Sequence, residues 1–585
     1  MTLRTFDVPR LPSKLLIYIF VIALITLLLY LLPSHGYSVS GSMLGIIVAS
    51  AMLIIAFSWL SAWVRRLDWV LVLDSLTSLF PFVLIFCLSA DTRMHRFGVF
   101  LAFFAFAKAL LLVWYSLANA ETASWTSARV WVLATSFMLY AGITPWVALA
   151  AWPTGDEPHY LLLTHSLLID HDFDMANNYQ RGDYKSFYPR DLNHHTVRIG
   201  VGGELPRHDV GLSVLLIPGY ALAGRLGAMV ELDIVAALLA LGIYELAIGL
   251  GASQRGALGS WALFGFTCPL VVYSSQIYPE IIGAAGAVWA IIAFARFIQT
   301  RQWFLLVLAG CLLAVLPWFS VRFWMIVGPM LSVMVLYALA QWRKRSELSY
   351  LKASAGLILP TVFSLCLFAV FDMRHYNTPM PNAGYVLYVS SGEIRGSATM
   401  FTHRPDIGLL GLLFDRSSGL LALAPVYLIA LAGMRSLLKT RRWEGAAIIA
   451  TSGVYVGFMS FSSFWWFGGW CPAGRFVLPA AALWAPAASI VILNRGLRWI
   501  TPVLSVWSLL VAVQYIALPL TRYPNGTSGV FATISSRNLG FDLAAAFPSV
   551  KRESFLDGEL AGLWTVITMC CIWLVGRPKR GRRFE

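Results

Sequence analysis

Trp152-Pro153-Thr154-Gly155-Asp156-Glu157-Pro158-His159-Tyr160 (residues 152–160) is where the chain turns from apolar to polar. Two adjacent carboxylates stand at the exit of a hydrophobic segment running over about 130–150, and the longest polar interval of the sequence follows them. Acidic residues here can simply end a membrane span, with Glu157 near the cap of a new helix begun by Pro158. They can also be the chemistry that the chain exists to present. What lies on either side decides between the two.

The composition is 58% hydrophobic and 12% charged, which excludes an ordinary soluble domain of 585 residues. Apolar runs long enough to cross a hydrocarbon core of ~30 Å recur along almost the whole chain. The fold class is therefore an all-α polytopic membrane protein. The net charge of +14 is read as membrane topology and not as nucleic-acid binding, because the basic residues sit mostly in short loops. Arg4, Arg10 and Lys14 place the N-terminus in the cytoplasm, ahead of a retained anchor at 15–32 and spans at 43–64, 69–89 and 97–117. A fifth span at 130–150 delivers Asp156 and Glu157 to the outer face. Placing the later basic clusters inside, from Arg255 to the tail at 577–583, requires about sixteen spans with both termini cytoplasmic. It also requires 211–227, with Pro218, Gly219 and Gly224, to lie at the surface instead of crossing. The cysteines lie mostly in apolar spans, Cys471 stands alone in an outer loop, and no disulfide framework is legible.

The outer interval 153–209 is too long for a mere connector. Its segment 158–169 places Tyr160, Leu161, Leu163, Leu167 and Leu168 mostly on one side of a helix, as an interfacial helix would. Six of the chain's 10 histidines fall in this loop, and histidine with aspartate suits a divalent ion. No pair has zinc-site spacing, so no metal ligand is assigned and a divalent cofactor stays open. Five further clusters reach the same face: Tyr278-Pro279-Glu280, 317–322 with Arg322, 372–418 with Asp415 and Arg416, 465–475 with Arg475, and 521–526. Tryptophans at 465 and 466 fit an interfacial belt, and Glu280 at a helix start fits dipole compensation. Arg475 set among glycines fits neither. Arginine offers a bidentate fork for phosphate, and glycines let a ligand approach the backbone. Within the spans, Asp74 and Lys108 read as a structural pair, and Glu245 as a group that is paired or faces a cavity.

A carboxylate pair opening the first large outer loop of a multi-span chain resembles the GT-C superfamily of lipid-phosphate-sugar-dependent glycosyltransferases. It is most similar to the branch holding protein O-mannosyltransferases and aminoarabinose transferases. The matching pieces are Asp156-Glu157, the helix after them, His208 through Gly211, a second interfacial helix at 211–227, and Glu280 two spans later. The resemblance implies a GT-C-like bundle with interfacial helices in the first outer loop. It divides the chain into a four-span extension at 1–126 with no counterpart in that pattern, a core at 127–371, a second outer loop at 372–417 and a variable module at 418–585. It further implies inverting transfer from a polyprenyl-phosphate sugar to an acceptor hydroxyl of a glycan, glycolipid or protein, at the outer face of a bacterial inner membrane.

The residues fit that chemistry on their own terms. An acceptor hydroxyl needs a base within hydrogen-bond reach, for which Asp156 is the candidate, with Glu157 or Glu280 orienting the acceptor or tuning the base. A leaving lipid phosphate needs arginine and not an acid, and the candidate binding residues are His208, Tyr278, Arg322, Asp415, Arg416 and Arg475. Two other classes compete. A transporter or lipid flippase would suit intramembrane Asp74, Lys108 and Glu245, although alternating access predicts a midplane site and internal repeats, which the sequence lacks. A phosphoethanolamine or acyl transferase would want an outer nucleophile or a metal set, to which only the histidine-rich loop comes close.

Overall fold

A computed structural model of the chain describes residues 109, 125–199, 203–381, 383–390, 405–461, 466–523, 543–550 and 555–575. The four expected N-terminal spans, the expected Asp74–Lys108 pair and the basic tail lie outside the described residues. The principal elements are α1 (Trp125–Ala150), α2 (Glu157–Ile169), strands β1 (Thr196–Ile199) and β2 (Gly203–Pro206), α3 (Ile217–Gly249), α4 (Glu280–Thr300), α5 (Trp324–Arg345), α6 (Leu348–Tyr376), α7 (Ala383–Ser390), α8 (Arg442–Phe461) and α9 (Ile500–Ala517).

Among the described residues, seven helices are long and apolar enough to cross a membrane, against the expectation of about sixteen spans for the whole chain. They are Ala128–Ala150, α3, α4, Val321–Arg345, α6, α8 and α9. Two shorter apolar helical segments, Phe304–Phe319 and Leu478–Val491, pack among them. The chain is an integral membrane protein. Burial ranks the spans: 78% of α4's apolar window is buried inside the protein but only 22% of α6's, so α4 is the axis of the bundle and α6 its rim. Glu245 on α3 is held by Arg129 of α1 and, at 2.9 Å, by Arg296 of α4. Those partners make it an interhelical tie and remove the need for a polar path there.

The segment 211–227 does turn before it crosses. A short helix, Gly211–Leu215, is followed by α3, whose helical geometry breaks at Ala223 and Gly224, with Gly224 at φ +54°. A left-handed glycine lets the chain change direction there without a Cβ clash. The Gly219 amide donates to Glu231 Oε2 at 3.0 Å and closes the turn.

α2 departs from the expectation in one respect. Tyr160, Leu161 and Leu163 are buried, but so are Leu162 and Ser166 on the other side. The helix is wedged between Leu212 and Leu216 of the turn and Met175, Tyr179 and Tyr184 of the outer loop. Each fully buried leucine of this cluster stabilises it by roughly 1.5–3 kcal/mol. Only its last turn, with Ile169 57% exposed, is free to meet an interface. A hairpin covers the loop: β1 pairs antiparallel with β2 in the register Thr196↔Pro206, Ile199↔Gly203. Tyr376 at the end of α6 fastens it by donating from its hydroxyl to the Pro206 carbonyl at 2.6 Å.

Candidate active site

Three loops converge at the entrance of α2. The first is the turn before it, where Gly155 sits at φ +58° and a Cβ would lie 2.6 Å from the Tyr278 hydroxyl and 2.8 Å from the Trp470 carbonyl. Glycine is required here twice over, by conformation and by space. The second is the approach to α4, where the Tyr278 hydroxyl donates to the Thr154 carbonyl at 2.8 Å. The third is the loop carrying Arg475, whose preceding Gly474 is at φ +85° against Pro269. Together they pin the two carboxylates of the Asp156-Glu157 pair into different environments.

Glu157 faces inward. One of its oxygens accepts from the Thr154 amide and the other from the Ile277 amide, both at 2.9 Å, and the residue is 1% exposed. Burial raises its carboxyl above the usual range, against the pull of Arg225 and these amides. Both acceptors are committed to the backbone, so Glu157 locks the α2 entrance to the α4 approach.

Asp156 faces the open side. Its Oδ2 meets Arg475 Nη1 at 2.9 Å, and its Oδ1 lies 3.5 Å from both Arg207 Nη2 and His208 Nε2. Burial alone would raise its pKa, but His208, Arg475, Arg207 and His195 hold it well below the usual carboxylate range. The arginines carry the permanent charge, since burial holds His208 well below the ordinary imidazole value and pushes His195 down to about 4. Asp156 is thus an ionised carboxylate among neutral imidazoles and two guanidiniums.

Arg475 is the hub. Its Nε donates to Glu280 Oε1 at 2.8 Å while Nη1 holds Asp156, and its guanidinium lies over the Tyr278 ring at 4.2 Å. Burial disfavours its charge, yet Glu280 and Asp156 keep it firmly protonated. The same Glu280 oxygen is 3.3 Å from Arg322 Nη2, and Arg322 stacks over Phe476 at 4.7 Å. Two buried atoms of this cluster, Arg475 Nη2 and Glu280 Oε2, have no hydrogen-bond partner among the described residues. Beside it, Asp209 accepts from the Val321 amide at 2.8 Å, and burial pushes its carboxyl up to about 7 despite that bond and Arg322.

The imidazoles form a second layer. His159 stacks on His195 with centroids 3.7 Å apart, and its Nδ1 pairs with the Tyr179 hydroxyl at 3.0 Å. Asp156, His195 and His208 each offer a ligand atom, all within 4.8 Å of one another. Two nitrogens and a carboxylate oxygen on the side away from Arg475 form a donor set that a divalent transition ion accepts.

Of the residues expected from sequence, Asp156, His208, Tyr278, Glu280, Arg322 and Arg475 are linked to one another by these contacts. Asp415 sits in a knot of its own. Its Oδ2 accepts from the amides and hydroxyls of Ser417 and Ser418, and its Oδ1 from the Val550 amide at 3.1 Å. The Arg416 amide bonds the Pro548 carbonyl at 2.8 Å in the same tie. Sequence reasoning did not single out Arg207, His159, His195 or Tyr179 as site residues. The run Arg207-His208-Asp209, three ionisable side chains in a row within a covered loop, was the available signal.

No family model and no curated protein matches the chain. Among solved structures it is similar to ArnT from Cupriavidus metallidurans in the apo state, with 14% identity, 78% of each chain covered and a TM-score of 0.43. It is also similar to the oligosaccharyltransferase of Archaeoglobus fulgidus in the apo form, with 13% identity, 80% of this chain covered and a TM-score of 0.37. A further likeness is to AglB of the same organism in complex with an inhibitory peptide and a dolichol-phosphate, with 12% identity, 79% of this chain covered and a TM-score of 0.38. The chain spans about three fifths of those archaeal proteins, 62% and 61% of their lengths. Likeness at this level says nothing of what this chain acts on.

Proposed function

We propose that this chain is a GT-C-type glycosyltransferase that moves a sugar from a polyprenyl-phosphate donor to an acceptor hydroxyl at the extracytoplasmic face, with inversion. One observation carries the reading. Arg475 divides its guanidinium between the ionised Asp156 and the buried Glu280 and keeps its third arm, Nη2, unpaired. A candidate base and an anion-binding fork thereby share one site, in which the acceptor hydroxyl meets the base and the leaving phosphate meets the fork on opposite sides of the anomeric carbon.

In this reading the acceptor oxygen loses its proton to Asp156 and attacks the anomeric carbon. The bond from that carbon to the phosphate oxygen breaks, and its electron pair leaves with the lipid phosphate. Arg475 Nη2, Arg322 and Arg207 meet the developing charge. A carboxylate held far below its usual pKa is a poor base, and the shared arginine supplies the remedy. As a donor phosphate draws on Arg475, Asp156 loses counter-charge and its proton affinity rises. Glu280 keeps Arg475 and Arg322 in place, and Glu157 holds the α2 entrance so that Asp156 faces the acceptor. A divalent ion held by Asp156, His195 and His208 would add positive charge beside the phosphate. The division of the chain into an extension at 1–126, a core at 127–371, a second outer loop and a module at 418–585 belongs to the same proposal, as do the bacterial inner membrane and cytoplasmic termini.

The test is donor consumption. Purified protein incubated with a panel of radiolabelled polyprenyl-phosphate sugars and an acceptor extract should release label from one donor, and Asp156→Asn should abolish the release. Turnover of no donor by a folded protein would move the assignment to the transporter class.

A further inference from the structure

Behind the candidate site lies a small cavity that shares Arg207 and His208 with it but whose carboxylates, Asp209 and Asp372, the proposed reaction does not use. Its walls are Asp209 from the turn after the hairpin, Phe368, Phe371 and Asp372 from the end of α6, and Ala383 from the start of α7, with Arg207 at the rim. Asp372 is 3% exposed. It accepts from the Ala383 amide, and its Oδ2, buried in the cavity wall, has no partner among the described residues. Asp209 spends Oδ2 on the Val321 amide. Arg207 does not neutralise the pair, because its guanidinium is engaged with Asp156 and His208 and stacked over Tyr388 at 4.6 Å.

We propose that this cavity is a binding site for a primary ammonium group. The chemistry narrows the class in three steps. A buried carboxylate oxygen with no donor is costly, and so a ligand that brings N–H groups and positive charge is favoured over a neutral hydroxyl. Phe368 and Phe371 supply aromatic walls, which attract a cation and repel an anion. Magnesium or calcium would want six or more oxygen ligands, and a quaternary ammonium has no N–H to give Asp372. The cavity lies at the end of α6, a helix long and apolar enough to cross a membrane. The ammonium could therefore belong to a lipid headgroup or to a soluble amine. The inference stands apart from the transferase reading, because it is tested by binding and not by turnover.

The experiment measures scintillation-proximity binding of radiolabelled methylammonium to the full-length protein in detergent. The result expected is saturable binding that ethanolamine displaces and that methanol and tetramethylammonium do not. Asp372→Asn and Asp209→Asn should abolish it, and Phe368→Leu, which leaves both carboxylates in place, should weaken it several-fold. Repeating the measurement in nanodiscs separates the sources. Lower binding in phosphatidylethanolamine than in phosphatidylcholine assigns the site to the headgroup, and equal binding assigns it to a soluble amine. Absence of saturable binding in the wild type, binding unchanged in both aspartate variants, or displacement by magnesium in place of ethanolamine would overturn the proposal.

Discussion

The adjacent carboxylates Asp156 and Glu157 look interchangeable on paper and are opposite in structure. Glu157 has both oxygens on backbone amides, whereas Asp156 faces two arginines and an imidazole. Glu157→Gln replaces one acceptor by a donor against an amide, which costs roughly 1–3 kcal/mol. It should lower the melting temperature while the folded fraction still turns over. Asp156→Asn should do the reverse: turnover falls by about 10²–10⁴-fold, the range of a lost general base. Donor binding should hold or tighten, because Arg475 is released from its ion pair. Paired melting curves and donor-binding assays on the two variants read the difference directly. Arg475→Ala leaves Asp156 to Arg207 and Glu280 to Arg322 alone, and should lower the melting temperature in addition to weakening the donor. The sequence revealed the importance of the Asp-Glu pair and of Arg475 among glycines, because charge at a membrane surface is expensive and visible. It could not say which carboxylate faces out. That depends on the Ile277 amide, 120 residues downstream.

At the scale of elements, the histidine-rich loop makes a prediction about pH. Burial lowers the pKa of His159, His195 and His208, so the folded loop keeps them neutral while the unfolded chain binds their protons below about 6.5. A lowered imidazole withdraws stability as pH falls, here from about 6.5 toward the value of about 4 given for His195. Each such group withdraws at most about 1.4 kcal/mol per pH unit. Asp209 and Glu157, whose carboxyls are raised, pull the other way and offset part of it. The thermal midpoint should fall between pH 7 and 5, by about one group's worth or more, and should fall less in His195→Gln. The same profile in wild type and His195→Gln would mean that His195 is open to water in the folded loop. The turn before α2 gives a second test at this scale. Gly155→Ala puts a Cβ against the Tyr278 hydroxyl and the Trp470 carbonyl, and should lower both the melting temperature and turnover. The α2 helix was legible from its cap and its leucines. Its burial on both sides was not, because the elements covering it come from the turn at 211–216 and the loop at 175–187.

For the whole molecule, the long apolar runs made the membrane bundle legible, since period and length carry that signal in a single segment. The order of burial was less visible. Nothing local marks α4 as the axis and α6 as the rim, because lipid and protein interior select the same residues. Glu245 shows the same limit: its cost within a span was readable, but its partners Arg129 and Arg296 lie on two other helices. At this scale the metal question is also decided. If a divalent ion is held by Asp156, His195 and His208, a chelator should lower the melting temperature, manganese or zinc should restore it, and His195→Gln should abolish the shift. A melting temperature indifferent to chelator and metal alike would leave those imidazoles a purely structural role.

The measurement closest to the central claim is release of radiolabel from a polyprenyl-phosphate sugar by wild type, Asp156→Asn and Glu157→Gln, each normalised to folded protein. The account predicts release by the wild type, release by Glu157→Gln, and none by Asp156→Asn even though it still binds the lipid donor. Release by Asp156→Asn at the wild-type rate would contradict it, and would remove the base from the ion pair on which the site is built.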